Sequence, residues 1–249
     1  MKIYILILIL ILFGFVIKNL FKVYIEPMDN LYGKISVIIL NYNRPHNLVE
    51  SLPILNKYKL IDEIIVLHGD PNFYKDFKYD KVKNIKDFKN NEIYGSSRRF
   101  LHSNLVKNNI ILFLDDDTLP EEKYVNDIYL KLTSNYKKNT IYGSYRRQCN
   151  SSGYNFKSEN YDTILTAGLM CKKEIIEIYR EKYFDKFKDW FIKYKGNCED
   201  LSLNVFINKY YNEKPQFVSG KIKELDTSNG HSSNSNHNTL RNNFCKKYS

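Results

Sequence analysis

Short apolar runs alternate with mixed, amphipathic segments through the first half of the chain, and each run ends in turn-forming residues. The strongest runs contain mainly Ile, Val, Leu and Phe, which is typical of parallel strands buried on both faces. Because these runs alternate with helical segments, the pattern predicts an α/β fold with a mainly parallel sheet flanked by helices. The predicted strands are 35–40, 61–67, 81–85 and 110–114, and the predicted helices between them are 46–58 and 97–107.

The second half of the chain is less regular. We expect a strand and turn over 161–171, followed by helices over 172–182 and 199–211. No internal repeat is present, and 249 residues with 43% apolar content suffice for one full-sized core. A single domain over 35–249 is therefore the simplest organisation.

The beginning of the chain differs from the rest because 3–17 is an unbroken apolar stretch flanked by lysines. Its length is close to the roughly 20 residues that a membrane helix needs. No small-x-small motif follows, so an uncleaved anchor is favoured over a cleaved signal peptide. We predict a transmembrane signal-anchor over 1–22 and a short stem over 23–34. More lysines follow this helix than precede it, so the positive-inside rule favours a cytoplasmic rather than a luminal domain.

The chain is basic, with a net charge of +10, which suits a nucleic acid or an acidic glycan as partner. Seven of its 38 cationic residues are arginine, so the other 31 are lysines, most of which we expect on solvated faces. We find no nucleic-acid recognition motif and expect no nucleic-acid partner. The arginines are more informative, because a guanidinium offers a bidentate fork to phosphate. They are Arg44, Arg98, Arg99, Arg146, Arg147, Arg180 and Arg241.

Two acidic clusters are candidates for chemistry. Asp115, Asp116 and Asp117 directly follow a buried strand, so we expect them at the sheet edge where open α/β sheets bind ligands. Adjacent half-buried carboxylates need a cation, and Mg²⁺ or Mn²⁺ would suit them. The alternative is a solvated turn that caps the next helix. The second cluster, Glu199-Asp200, begins a predicted helix, where acidic residues also commonly serve only to complement the helix dipole.

Other side chains are more ambiguous. The four cysteines have no CxxC spacing, which argues against a zinc site and leaves either reduced core thiols or disulfides in an oxidising lumen. Trp190 could stack on an acceptor sugar or belong to the core. Arg146-Arg147 could meet an anionic acceptor, the donor phosphates or only solvent. His68 and His102 are isolated and are expected to be packed or exposed.

Several ordered motifs resemble a known family. They are Asn41-Tyr-Asn-Arg44, Arg99-Phe100, Leu114-Asp-Asp-Asp117, Ile164-Leu-Thr-Ala-Gly168 and Asn197-Cys-Glu-Asp200. The first three resemble the GT-A glycosyltransferase fold, and together with the last two they resemble the exostosin-type domain, glycosyltransferase family 64. The resemblance spans about 35–249. It implies transfer of an N-acetylhexosamine from a UDP-sugar to a glycan or glycoprotein acceptor, with retention of configuration, in a type II membrane protein of the secretory-pathway lumen.

The resemblance also implies roles for individual residues on the donor side. Asp117 would coordinate Mn²⁺, or Mg²⁺, that bridges the UDP diphosphate, and Asp115 and Asp116 would hold the ribose or the sugar. The uridine and diphosphate groups of the donor would contact Asn43, Arg44 and Arg99.

On the reacting side, the resemblance places Asp200 at the sugar. It also places an arginine and then a cysteine near the C-terminus, which Arg241 and Cys245 match with one extra residue between them. The same resemblance implies a disulfide between Cys198 and Cys245.

Three alternatives remain open from the sequence. An inverting GT-A enzyme of the family 2 kind also has an Asp-x-Asp motif and a Glu-Asp pair, although the Gln-x-x-Arg-Trp signature of its processive members is absent. A nucleotide-sugar-binding protein without catalysis is a second alternative, against which the intact aspartates argue. A basic nucleic-acid binder is the third. The motifs leave the donor sugar, the acceptor and the role of Asp200 undetermined.

Overall fold

The structure is a computed structural model that describes residues 33–156, 159–228 and 235–249. The predicted signal-anchor, 1–22, lies outside the described residues, as does nearly all of the predicted stem. Among the described residues, no helix combines the length and apolar character needed to cross a membrane. Lys34–Ser249 forms one compact unit.

The first half of the chain forms the parallel strands that the apolar runs predict. The helix predicted over 46–58 is shorter than expected, and the segment predicted as a helix over 97–107 is a 3-10 helix, Gly95–Leu105, that is kinked at His102. In chain order the elements are β1 (Ile35–Asn41), α1 (Pro45–Leu55), β2 (Ile61–His68), a short 3-10 turn (Pro71–Phe73), β3 (Val82–Lys86), α2 (Phe88–Tyr94), the 3-10 helix, β4 (Ile110–Asp115), β5 (Thr118–Pro120) and α3 (Glu122–Ser134).

The second half contains shorter strands and the helices that cover the sheet. The segment predicted as one strand and turn over 161–171 contains two separate strands. The elements are β6 (Tyr142–Gly143), β7 (Arg146–Asn150), β8 (Gly153–Asn155), β9 (Thr163–Ile164), β10 (Leu169–Lys172), α4 (Lys173–Lys182), α5 (Phe184–Tyr194), α6 (Glu199–Tyr211), β11 (Gln216–Phe217), β12 (Ile222–Glu224) and α7 (His237–Tyr248).

The main sheet of the described residues has seven strands in the order β11-β6-β10-β4-β1-β2-β3. Strands β1 to β4 are mutually parallel, whereas β10 runs antiparallel to β4 and β6. The chain moves outward from β1 to β2 and β3 and then returns to place β4 on the other side of β1. The carboxyl ends of β1 and β4 therefore meet at the point where the strand order reverses, which is where open α/β sheets bind ligands.

Two small sheets and the core complete the surroundings of this point. Strand β5 pairs with β12, and β7 pairs with both β8 and β9. Aromatic side chains fill the space between the sheet and helices α4 to α7. Phe100 lies edge-on to Phe113 of β4 and to Tyr179 of α4 at centroid distances of 5.6 and 5.2 Å. This rigid packing holds the loops at the carboxyl edge of the sheet.

Candidate active site

A cavity of about 920 Å³ opens at the carboxyl ends of β1 and β4. Its walls come from the loops after β1, β2 and β4, from α2 and the 3-10 helix, from the β7–β8 hairpin, and from the beginnings of α6 and α7. The eight side chains that the sequence analysis singled out all line it: Asn43, Arg44, Arg99, Asp115, Asp116, Asp117, Asp200 and Arg241. The structure thus brings together groups that are up to 198 residues apart in the chain.

The aspartate triplet forms a tight turn between β4 and β5. The hydroxyl of Thr118 accepts a hydrogen bond from the backbone N–H of Asp115 at 3.1 Å and donates one to its carbonyl at 3.0 Å. The side chain of Asp116 is only 4% exposed, whereas those of Asp115 and Asp117 are 33% and 20% exposed. Asp115 and Asp117 are therefore the carboxylates most accessible to a ligand.

Arg44, which directly precedes α1, supplies positive charge to this turn. Its guanidinium pairs with Asp116 and lies 2.8 Å from a carboxylate oxygen of Asp117. Burial nevertheless raises the pKa of Asp116 to about 6, because the ion pair with Arg44 offsets only part of its desolvation. Burial and the neighbouring carboxylate of Asp115 likewise raise the pKa of Asp117. The triplet therefore retains uncompensated negative charge and can accommodate a further cation.

The composition of the triplet fits a hard divalent cation. Asp115 and Asp117 offer carboxylate oxygens to the cavity, and oxygen is the donor that Mg²⁺ and Mn²⁺ prefer. Within the part of the chain that the structure describes, no three His, Cys, Asp or Glu side chains form a complete metal cluster. A cation bound here would take its remaining ligands from substrate phosphates and water, which is how Mg²⁺ commonly binds in nucleotide enzymes.

Arg99 links the two acidic clusters across the cavity. Its side chain is 2% exposed, pairs with Asp115, and lies 3.6 Å from a carboxylate oxygen of Glu199. The Nε and Nη1 atoms of Arg99 have no hydrogen-bond partner among the described residues. Buried unsatisfied donors are costly, so these two nitrogens mark a place where an anionic ligand group would be stabilised.

Asp200 lies in the first turn of α6 and pairs with Arg241 of α7. The guanidinium Nη2 is 2.7 Å from Asp200 Oδ2, and both side chains are at most 7% exposed. Burial alone would lower the pKa of Arg241, but the ion pair with Asp200 raises it above its ordinary value. The aromatic ring of Tyr154 covers the guanidinium at 4.5 Å. These contacts fix the position of the Asp200 side chain in the cavity wall.

Glu199 is a cavity residue that the sequence analysis noted in a motif but did not select. Burial raises its pKa to about 7, and the negative charges of Asp200 and Asp115 add to this effect. The hydroxyl of Thr166 lies 3.4 Å from Glu199 and donates to it. In the sequence, only the position of Glu199 next to Asp200 indicates that it belongs to the site.

The cavity wall beside Arg241 contains further residues that the sequence analysis left ambiguous or missed. Arg147, Tyr154 and Phe156 line it. Arg147 stacks on the ring of Phe156 at 5.3 Å, and Tyr154 meets the same ring edge-on at 5.0 Å. Aromatic rings beside a cation are suited to the apolar face and the charge of a sugar acid. Of these three residues, only Arg147 was a candidate from the sequence.

Trp190 belongs to the core and does not line the cavity. Its ring packs on Phe244 of α7 at 5.3 Å, and its Nε1 donates to the backbone carbonyl of Asn197 at 3.0 Å. The two isolated histidines are also held in place: His68 bonds to Asn41, and His102 lies 2.9 Å from Asp87.

The disulfide differs from the one implied by the family resemblance. Cys245 of α7 is bonded to Cys149 of β7, while Cys198 is a buried free thiol, as is Cys171. The Cys198–Cys245 pairing is therefore wrong for this structure. The physical reason is that α7 packs against the β7–β8 hairpin, which brings the Cα atoms of Cys149 and Cys245 to 5.1 Å. The bridge ties the wall that contains Tyr154 to the helix that contains Arg241.

Comparisons with known proteins agree with this architecture. A structural search matches the crystal structure of S. aureus TarS with a TM-score of 0.50 and 16% identity, over 78% of this chain and 37% of that chain. This similarity supports a GT-A-like fold. A search of curated proteins finds no match. The model of the glycosyl transferase family 64 domain matches residues 35–249. Because that match covers most of the chain, this protein is a glycosyltransferase that belongs to family 64.

Proposed function

We propose that this glycosyltransferase transfers a sugar, an N-acetylhexosamine, from a UDP-sugar to a glycan or glycoprotein acceptor, with a divalent metal ion and with retention of configuration. The observation that supports this proposal is the single cavity that joins the aspartate triplet and two buried arginines to the Asp200–Arg241 pair.

The charge pattern at the β1–β4 edge suits a nucleoside diphosphate. Asp117 would hold Mn²⁺ or Mg²⁺, with Asp115 available as a second carboxylate, and the metal would neutralise the diphosphate when bound. Arg44 lies against Asp117 at 2.8 Å, and Arg99 has two unsatisfied nitrogens, so both can donate to phosphate oxygens. Asn43 lines the same region. As the anomeric bond breaks, negative charge grows on the leaving UDP, and these donors stabilise it more than they stabilise the bound substrate.

The Asp200–Arg241 pair is proposed to act at the reacting sugar. Arg241 holds Asp200 by an ion pair in a buried position, where a carboxylate would stabilise the positive charge that develops on the sugar ring. In the front-face route to retention, the departing phosphate helps to deprotonate the attacking hydroxyl. Asp200 would then orient the sugar and stabilise its charge without forming a covalent bond.

The acceptor is proposed to enter along the wall formed by Arg147, Tyr154 and Phe156. Phe156 is 46% exposed, which leaves its ring free to pack against a sugar face. Arg147 would provide a cation for an anionic acceptor group.

The compartment and the membrane attachment are also proposals. The Cys149–Cys245 disulfide favours an oxidising environment such as the secretory-pathway lumen, because disulfides seldom persist in the cytosol. The apolar stretch 3–17 is proposed to anchor the protein as a single-pass type II membrane protein.

Release of UDP from a panel of UDP-sugars, with and without Mn²⁺, tests the proposal. The purified full-length protein would be compared with Asp117→Ala and Asp200→Ala. Asp127→Ala is the matched control, because Asp127 lies on α3, pairs with exposed Lys123 and does not line the cavity. We expect Mn²⁺-dependent hydrolysis of one UDP-hexosamine that both cavity variants lose and the control keeps.

Two other outcomes would favour the alternatives. A folded protein that binds UDP but releases none from any donor would support a binding protein without catalysis. A product with the inverted anomeric configuration would support an inverting mechanism of the family 2 kind.

A further inference from the structure

The tip of the β7–β8 hairpin carries a motif that the proposed chemistry does not use. Asn150-Ser-Ser152 is the one Asn-x-Ser/Thr triplet in the chain. Such a triplet is the acceptor of N-linked glycans in proteins of the secretory pathway, where the modified asparagine lies on the surface. The triplet alone is a weak signal, so its place in the fold decides whether it can carry a glycan.

The structure places this triplet at the two-residue connection of the hairpin. Asn150 is the last residue of β7 and pairs with Gly153, and the two serines between them are exposed. The backbone N–H of Ser152 donates to Asn150 Oδ1 at 2.9 Å. The amide oxygen must therefore face this donor. The amide nitrogen, which would carry a glycan, donates no hydrogen bond to any residue that the structure describes.

The hairpin is fixed to α7 directly beside this tip. The backbone N–H of Tyr154 donates to Asn242 Oδ1 at 3.2 Å, and the disulfide joins β7 to the same helix. A Cβ atom at Gly153 would lie 2.0 Å from Asn242 Oδ1, so this close approach requires glycine. Tyr154 lines the cavity, whereas no residue of the triplet does. A glycan on Asn150 would therefore stand on a fixed turn and leave the cavity open.

We propose that Asn150 is a site of N-linked glycosylation. The inference rests on the luminal location given under the proposed function, because the glycan donor, a lipid-linked oligosaccharide diphosphate, and its oligosaccharyltransferase act in that lumen. Asn150 Nδ2 forms a bond to the anomeric carbon of the oligosaccharide, and the bond from that carbon to the diphosphate oxygen breaks. The lipid diphosphate departs, and one amide proton passes to a base of the transferase. The reaction does not use the cavity of this protein.

Expression of the full-length chain in a eukaryotic cell line, followed by treatment with a peptide N-glycosidase, tests the assignment. We expect the treatment to shift the electrophoretic mobility of the wild type by one discrete step and to convert Asn150 to aspartate, which mass spectrometry detects. Asn150→Gln and Ser152→Ala should abolish the shift, because they remove the attacking nitrogen and the hydroxyl of the triplet. Ser151→Ala is the matched control, since it makes the same change one residue away and retains the triplet.

A reporter variant distinguishes a wrong site from a wrong compartment. Lys138→Asn, combined with Asn150→Gln, completes a new triplet with Asn139 and Thr140, and Lys138 is exposed in the turn after α3. A shift of the reporter without a shift of the wild type would overturn the inference and leave the luminal location intact. No shift in either would overturn both, while the UDP-release assay would still decide the transferase activity. A shift that persists in Asn150→Gln alone would also overturn the assignment.

Discussion

Glu199 provides the sharpest test of the electrostatics of the cavity. Its carboxyl group is buried among charges from four elements: Asp200 on the same helix, Arg99 on the 3-10 helix, Asp115 of β4 and Arg241 of α7. Burial and the two carboxylates raise its pKa to about 7. We predict that Glu199→Gln stabilises the protein above neutral pH, because glutamine resembles the protonated acid and avoids the cost of a buried charge.

The magnitude follows from the difference between the two pKa values. The pKa is about 7 in the folded state and 4.5 in the unfolded chain. A difference of about 2.5 units corresponds to about 3 kcal/mol. Between pH 4.5 and 7 the folded protein keeps the proton of Glu199, whereas the unfolded chain releases it. The contribution of the protonated carboxyl group to the free energy of unfolding is therefore fully present below pH 4.5 and is lost as the pH rises through 7. Glu199→Gln should therefore match the wild type at pH 4.5 and exceed it by about 3 kcal/mol at pH 8.

Urea denaturation at several pH values between 4.5 and 8 measures this difference. Glu174→Gln is the control, because Glu174 is exposed on α4 and the substitution removes the same charge at the surface. The control should show no difference of this size at any pH. A difference between Glu199→Gln and wild type that stays constant across the range would refute the reasoning.

Three further predictions concern the contacts that hold the cavity wall together. Cys149→Ser should lower the free energy of unfolding by about 4–5 kcal/mol, because the bridge to Cys245 spans 96 residues, and dithiothreitol should lower the melting temperature of the wild type but not of the variant. Arg241→Leu should cost about 3–5 kcal/mol because it leaves Asp200 buried and unpaired, and adding Asp200→Asn should recover part of that loss in denaturation experiments. Trp190→Phe should cost about 1–3 kcal/mol in the same assay by leaving a buried carbonyl without its donor, and an unchanged stability would contradict this.

Strands β1, β2 and β4 follow from the sequence because strands buried on both faces leave an unmistakable apolar run, whereas half-exposed β3 leaves only a weak one. The small strands β5 to β9 leave no such run. A strand such as Arg146–Asn150 is mostly polar, and it is defined by its backbone pairing with neighbouring strands. The sequence likewise predicts an ordinary helix where the structure has a 3-10 helix, because a contact with a distant segment constrains its first residue. Its first residue, Gly95, has φ of +52° and lies so close to the carbonyl of Lys195 that a Cβ would come within 1.8 Å of it. Such a tertiary constraint has no local signature.

The site was more predictable than the disulfide. Polar residues directly after β1 and β4 had to meet at one edge because the topology allows no other place for them, and the motif that ends in Asp200 completed the set. Four cysteines without a diagnostic spacing permit several pairings, so the choice of Cys149 over Cys198 required the packing of α7 on β7.

The central claim is that one cavity binds the nucleotide at Asp117 and acts on the sugar at Asp200. The most direct measurement compares UDP binding by calorimetry with UDP-sugar hydrolysis, both with Mn²⁺, for Asp117→Asn and Asp200→Asn. The account predicts that Asp117→Asn loses both, whereas Asp200→Asn binds UDP like the wild type but hydrolyses the donor at least about 100-fold more slowly. Wild-type hydrolysis by Asp200→Asn, or unchanged UDP affinity in Asp117→Asn, would contradict it.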